Sequence, residues 1–255
     1  MRQLIKNVIN IPLNFFNLEL KRKSGWKIPS IPIEANKFER GLIAECSPFS
    51  MTGNTRMWSL IQSMEYIMNN NIKGDFVECG VWRGGNLALM RKFCNYHKLE
   101  ISIFGYDTFE GMPDATQEDI DLNGNLASEA MKRVKKNEKL QNIHAYAGID
   151  QVKRNLEKLE AFNGVKLIKG MVENTLAKKQ NLPNKISILR LDTDFYSSTK
   201  TELEILFPRL VKGGVLIIDD YGHFKGAQQA VDEYFKGENI WLHYVDYTCR
   251  LMIKN

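Results

Sequence analysis

The sequence predicts an α/β protein: a doubly wound, mostly parallel sheet, an antiparallel hairpin at its C-terminal edge, and an N-terminal extension. Three observations carry this expectation. From about residue 50, short apolar runs alternate with amphipathic helical stretches. Glycine-rich or acidic segments follow the apolar runs, where a parallel sheet gathers its ligand-binding rim. The last two apolar runs are separated only by Asp246–Thr248, a hairpin-length link.

In chain order, Thr52 or Asn54 is placed to cap a first helix through Trp58, Ile61, Met64, Ile67 and Met68. Strands are expected at Asp75–Cys79, Ile101–Tyr106, Lys166–Ile168, Ile186–Leu191 and Val215–Ile218. Helices between and after them are expected at Asn86–Tyr96, Leu126–Lys136, Gln151–Glu160, Ser198–Leu210 and Ala227–Phe235. Trp241–Val245 and Cys249–Ile253 form the closing hairpin. Right-handed crossovers then bring the C-terminal ends of all the parallel strands to one rim.

Composition excludes other classes. A chain of 255 residues, 44% hydrophobic and 25% charged, supports one full-sized domain rather than a disordered or low-complexity polymer. No apolar run is long enough to span a membrane. Cys46, Cys79, Cys94 and Cys249 do not pair as C-x-x-C, which fits a reducing, cytoplasmic protein without a structural zinc. The net charge is +5, and residues 1–25 hold five bases against one acid. The remainder is nearly neutral, so no nucleic-acid-binding face is expected.

Residues 1–50 read as an extension and 51–255 as the main domain. Leu4, Val8 and Ile11 recur at helical spacing, and Phe15, Phe16, Leu18 and Leu20 precede the Lys21–Lys23 cluster. Such a basic amphipathic segment fits peripheral contact with an anionic membrane. The favoured reading is that these side chains pack on the domain, or on a second copy in a homodimer. The segment around Pro29 and Pro32 reads as extended chain at the domain boundary.

Three motifs fall on the rim. The first runs from Val77 to Asn86 and contains Glu78, Gly80, Arg83, Gly84 and Gly85 at a strand-to-helix turn. Glycines there let backbone N–H groups approach a ligand. Trp82 occupies the second glycine position of the dinucleotide fingerprint, which disfavours a nicotinamide cofactor. Glu78 beside such a loop suits a zwitterionic amino-acid ligand; the alternative is a tight turn without chemistry. The second motif centres on Asp107, 29 residues after Glu78, and is followed by Thr108. An acid at this strand end can accept ribose hydroxyls, or it can simply form a turn. The third is the strongest: Asp192-Thr193-Asp194 follows one strand and Asp219-Asp220 follows another. Neighbouring strands lie about 4.8 Å apart, so these carboxylates can converge on a hard divalent ion such as Mg²⁺. His223 lies three residues beyond Asp220, at the mouth of the same rim.

These residues together resemble the macrocin O-methyltransferase family. The likeness rests on Gly74–Gly85, Asp107–Pro113, Leu189–Thr199 and Gly213–Tyr221, continued by Gly226 and Ala230–Tyr234, and covers about residues 55–240. The run Gly170–Thr175 departs from the family's aromatic version, and Asp114–Gly148 is long and highly charged.

The resemblance implies a class I, Rossmann-like methyltransferase. Its donor is S-adenosylmethionine and its chemistry is Mg²⁺-dependent methylation of a sugar hydroxyl, on a polysaccharide, nucleotide-sugar or glycosylated natural product. Glu78, Gly80, Arg83, Gly84, Gly85, Asp107, Thr108, Gly170, Met171 and Asp192 are then expected to bind the donor. Asp192, Asp219 and Asp220 are expected to hold Mg²⁺, and Asp192 or Asp194 to take the proton. Tyr196, Tyr221 and His223 are candidates for acceptor contact. Two alternatives belong to other classes. One is a metal-dependent glycosyltransferase using Asp192-Thr193-Asp194, which leaves the glycine loop and second Asp pair unexplained. The other is a non-catalytic binding module.

Overall fold

The computed structural model describes residues 30–129 and 146–255. The basic segment at residues 1–25, and most of the helix expected at Leu126–Lys136, lie outside the described residues. From Ile31 onward the chain forms one compact unit.

Seven strands form one sheet: β1 (Asp75–Cys79), β2 (Ile103–Asp107), β3 (Val165–Lys169), β4 (Ile186–Leu191), β5 (Leu210–Ile218), β6 (His243–Tyr244) and β7 (Arg250–Ile253). Their order is β3-β2-β1-β4-β5-β7-β6. The first five are parallel, and β7 runs antiparallel to both β5 and β6. The strand order reverses between β1 and β4, the switch point where a cleft opens beyond the carboxyl ends.

The period-2 side-chain alternation of the strands builds two core layers. Phe76, Ile188, Val215 and Ile217 pack with α1 (Lys37–Cys46), α2 (Asn54–Asn69), α3 (Gly85–Tyr96) and α4 (Ile149–Lys158). Val77, Cys79, Leu189, Leu191, Leu216 and Ile218 face the other way. They meet α5 (Val172–Thr175), α6 (Tyr196–Leu206) and α7 (Lys225–Tyr234). Helix α1 therefore belongs to the compact unit: Leu42, Ile43 and Cys46 are buried in its core. Asn36 and Glu39 form a capping box at its start.

Several boundaries differ from expectation for identifiable reasons. Neither Thr52 nor Asn54 caps α2; Gly53 is the N-cap, and the Thr52 hydroxyl is turned inward. Helix α6 starts at Tyr196 and stops at Leu206. A short 3₁₀ turn, Phe207–Arg209, follows it, with Pro208 inside. Strand β5 reaches back to Leu210 through Gly213 and Gly214, and β6 shrinks to two residues. The four cysteines are free and buried. Among the described residues no helix is long and apolar enough to cross a membrane.

Candidate active site

The rim encloses a cavity of about 440 Å³. Its lining includes Gly80, Trp82, Asp107, Thr108, Gly170 and Met171, from the ends of β1 to β3, and Asp192, Asp194, Asp219, Asp220, His223, Phe224 and Tyr247, from beyond β4 and β5. Strands β1 and β4 are joined tightly here. The Asp192 N–H donates to the Cys79 carbonyl at 2.9 Å, and a Cβ on Gly80 would overlap the Asp192 backbone oxygen.

Asp192, Asp219 and Asp220 each offer a carboxylate oxygen, and these atoms lie within 4.8 Å of one another. The side chain of Asp192 is 26% exposed, whereas Asp219 and Asp220 are buried. Burial raises the pKa of Asp192 well above the ordinary carboxylate range; neighbouring acids add to this and Arg190 opposes it. Asp220 is raised likewise, by burial and then by the charge of Asp194. Asp194, beside Asp220, is pushed up to about 7 by burial and then by Asp192. Its backbone is left-handed, φ +66°, a conformation that Asp tolerates better than most residues.

Two guanidiniums offset part of this charge. Arg190, on β4, is 1% exposed. Its Nη1 lies 2.7 Å from both Glu78 Oε1 and Asp192 Oδ2, and its Nη2 lies 2.8 Å from Asp219 Oδ1. Arg56, on α2, pairs with Asp219 and lies 3.2 Å from Asp246 Oδ2. Six carboxylates, Glu78, Asp192, Asp194, Asp219, Asp220 and Asp246, therefore gather around two cations, which leaves an excess of negative charge. Asp220 Oδ2 is buried with no hydrogen-bond partner among the described residues. An all-oxygen donor set, an orphaned buried carboxylate oxygen and surplus negative charge together fit a divalent hard cation.

Some expected donor residues lie on the cavity and others do not. Glu78 is fully buried behind the rim, bonded to Arg190 and Asn86, and does not line the cavity. From there its carboxylate holds Arg190, whose other bonds reach Asp192 and Asp219. Arg83, Gly84 and Gly85 are also absent from the lining. Arg83 stacks over Trp82 at 4.5 Å, and the space beside Gly85 is filled by Phe49 and Ser50. Asp107 does line the cavity, but its oxygens already accept backbone N–H groups from Val81, Trp82 and Phe109 at 2.7–3.0 Å. The carboxylate thereby pins the glycine loop to the end of β2.

Of the acceptor candidates, His223 lines the cavity, whereas Tyr196 and Tyr221 do not. Their hydroxyls donate instead to Glu233 and Asp232, each at 2.7 Å. The sequence reading missed Thr52, Arg56, Glu202 and Tyr247. Thr52 accepts from Arg190 Nη2 and Asn86 Nδ2, both at 2.9 Å. Glu202 is buried, accepts from the Thr193 hydroxyl at 3.0 Å, and is pushed up to about 8 by burial.

A switch-point cleft with a glycine loop on β1, an acid ending β2 and carboxylates ending β4 and β5 defines a class I methyltransferase. Comparison with known proteins places the chain further. The family model for Macrocin-O-methyltransferase (TylF) matches residues 13–253, so the chain belongs to that family and is an S-adenosylmethionine-dependent O-methyltransferase. Demethyldecarbamoylnovobiocin O-methyltransferase of Streptomyces niveus is 31% identical over 187 residues, covering 72% of this chain and 67% of that protein. A tetracenomycin-C rhamnosyl 4'-O-methyltransferase of Streptomyces olivaceus is 32% identical over 192 residues, with the same two coverages. Among solved structures, the O-methyltransferase NovP superposes with a TM-score of 0.70 at 28% identity, covering 81% of this chain and 82% of its own. A calicheamicin methyltransferase shares the fold, with a TM-score of 0.60 at 17% identity over 92% of this chain and 99% of that one.

Proposed function

We propose that this protein methylates a hydroxyl of a sugar-bearing small molecule or glycan, with Mg²⁺ held by Asp192, Asp219 and Asp220. The observation that carries the metal reading is the convergence of those three carboxylates within 4.8 Å, on a cavity shared with the glycine loop. The sugar-bearing acceptor is supported by the relatives. The Streptomyces olivaceus enzyme is named for a rhamnosyl substrate, and a 27% identical relative from Micromonospora griseorubida is a mycinamicin III 3''-O-methyltransferase.

S-adenosylmethionine supplies a methyl group on a sulfonium, activated for in-line transfer. Gly80, Trp82, Asp107, Thr108, Gly170 and Met171 line the part of the cavity assigned to it. Asp107 acts there by fixing the loop backbone, and Gly80 by letting that loop approach Asp192 closely. A divalent cation at the three aspartates would act as a Lewis acid toward an acceptor hydroxyl. Asp194 stands beside this set with its pKa near 7, suited to take the hydroxyl proton at neutral pH. Arg190 and Arg56 hold Asp192 and Asp219 and limit their mutual repulsion. His223, Phe224 and Tyr247 bound the space left for the acceptor. No observation favours the glycosyltransferase or binding-module readings.

The test is mass spectrometry for a 14-dalton methylene gain across sugar-bearing acceptors, with S-adenosylmethionine and Mg²⁺ or with chelator. Transfer should require the divalent ion and vanish in the Asp219→Asn, Asp220→Asn double variant, while S-adenosylhomocysteine still binds. Transfer that persists in chelator would remove the metal from the mechanism.

A further inference from the structure

The segment after the Asp107 motif, Met112–Ala127, is a built structure with its own small core. Met112, Ala115 and Ala127 pack against Phe195 and Phe224, whose rings meet edge to face at 5.9 Å. Phe195 directly follows Asp194, and Phe224 directly follows His223. Two isolated bridges, Ile120 with Leu126 and Asp121 with Phe224, shape and dock the segment. The Lys225 N–H adds a bond to the Ile120 carbonyl at 2.9 Å. Met112, Pro113 and Phe224 reach the cavity.

At its centre lies Asp119, a carboxylate with 0% exposure. Oδ2 accepts from the Thr116 N–H at 2.7 Å and from the Thr116 hydroxyl at 2.8 Å. Oδ1 accepts from the Tyr196 N–H at 2.9 Å, across 77 positions of sequence. Tyr196 opens α6, whose own N-cap residue, Phe195, offers no capping side chain. Asp119 therefore caps that helix from a distant segment, where both the orphan N–H and the helix dipole favour an anion. Gly226 makes the seat possible: a Cβ there would stand 2.5 Å from Asp119 Oδ1 and 3.1 Å from Tyr196.

We infer that Asp119 is a positioning residue that latches residues 112–127 in place as the wall facing the rim carboxylates. That wall bounds the acceptor rather than the donor, an assignment that rests on the function proposed above. One buried carboxylate thus ties the wall to the start of α6, two residues beyond Asp194. The wall presents Met112 and Pro113, with Phe224 packed against it, as an apolar face suited to the C–H side of a ring whose hydroxyl points at the carboxylates.

Hydrogen exchange on the full chain tests the latch, and calorimetry with S-adenosylhomocysteine tests the side to which the wall belongs. In Asp119→Ala, peptides within 112–127 should exchange at least ten-fold faster. Strands β1 and β4 should be unchanged, and S-adenosylhomocysteine affinity should stay within three-fold of the parent. Thr116→Val should give a smaller acceleration, and Thr116→Ser, which keeps the hydroxyl, should restore the parent rate. The Thr116 pair decides the question if Asp119→Ala does not fold. Unchanged exchange across 112–127 in Asp119→Ala or Thr116→Val overturns the latch. A ten-fold loss of S-adenosylhomocysteine affinity overturns the assignment to the acceptor. If the parent protein binds no S-adenosylhomocysteine, the donor reading fails, while the exchange rates still decide the latch.

Discussion

Glu78 and Arg190 are register partners on adjacent parallel strands, and their buried side chains meet at 2.7 Å. Burial pushes the Glu78 carboxyl up to about 7, and the guanidinium and Asn86 work against that shift. Removing one partner of a buried ion pair strands the other charge, which costs about 3–5 kcal/mol. Glu78→Ala should lose stability on that scale in urea unfolding, and Glu78→Gln, which keeps an acceptor for Arg190, should lose less. A Glu78→Ala protein within 1 kcal/mol of the parent, by order of magnitude, would contradict the supporting role given to Glu78.

Glu202 gives the fold a pH dependence away from the carboxylate cluster. Its folded pKa, about 8, stands above the ordinary value of 4.5 because the group is buried. The folded state therefore holds a proton that the unfolded state releases. The stability this provides is fully present below pH 4.5 and is lost as pH rises through about 8. Glu202→Gln keeps a neutral acceptor for Thr193 and removes the titration. Its urea midpoint relative to the parent should rise between pH 5 and pH 8. Parallel midpoints across that range would mean that Glu202 does not titrate in this window.

The outline was legible because the strands carry it. Strand β4 matches its expected range at both ends, since Ile186–Leu191 is a continuous buried run closed by an acid. The start of α6 was not legible: its cap is Asp119, far away in sequence, and local capping patterns cannot reveal it. Strand β5 runs back past the expected Val215 to Leu210, through Gly213 and Gly214, which carry no side chains for an apolar pattern to reveal. At the site, the Asp pairs could be read because carboxylates ending neighbouring strands must converge. The bond from Glu78 to Arg190 was not legible because the sequence does not show which residue lies beside it in register. One signal was available: Arg190 is the one charged residue of the buried strand Ile186–Leu191, and a buried cation needs anions around it. Those anions are Glu78, Asp192 and Asp219.

In the proposed mechanism Asp194 sets the pH dependence of methyl transfer. As proton acceptor it must be ionised, and burial followed by the charge of Asp192 holds its pKa near 7. The rate should therefore rise with pH through the neutral range and level off above it, measured as kcat/KM in single-turnover and steady-state assays. Asp194→Asn should lower the rate by about 10²–10⁴-fold, the usual worth of a general base, and flatten the profile. A rise that survives in Asp194→Asn would assign the base to another group.

Gly80 and Gly124 share one backbone conformation, φ +85° in both, but differ in their surroundings. A Cβ on Gly124 meets nothing within 4 Å, whereas one on Gly80 would overlap the backbone oxygen of Asp192. A left-handed non-glycine residue costs about 1–2 kcal/mol by itself, so Gly124→Ala measures that strain alone. Gly80→Ala adds a collision with main chain, which cannot swing aside as a flexible side chain can. Relief requires the end of β1 to separate from the start of the Asp192–Asp194 turn. Gly80→Ala should then lose clearly more stability than Gly124→Ala in urea unfolding. It should also bind Mn²⁺, an Mg²⁺ surrogate detectable by electron paramagnetic resonance, at least ten-fold more weakly, while Gly124→Ala binds it as the parent does. Equal losses in the two variants would show that conformational strain, and not the close approach of the two strand ends, is why glycine stands at position 80.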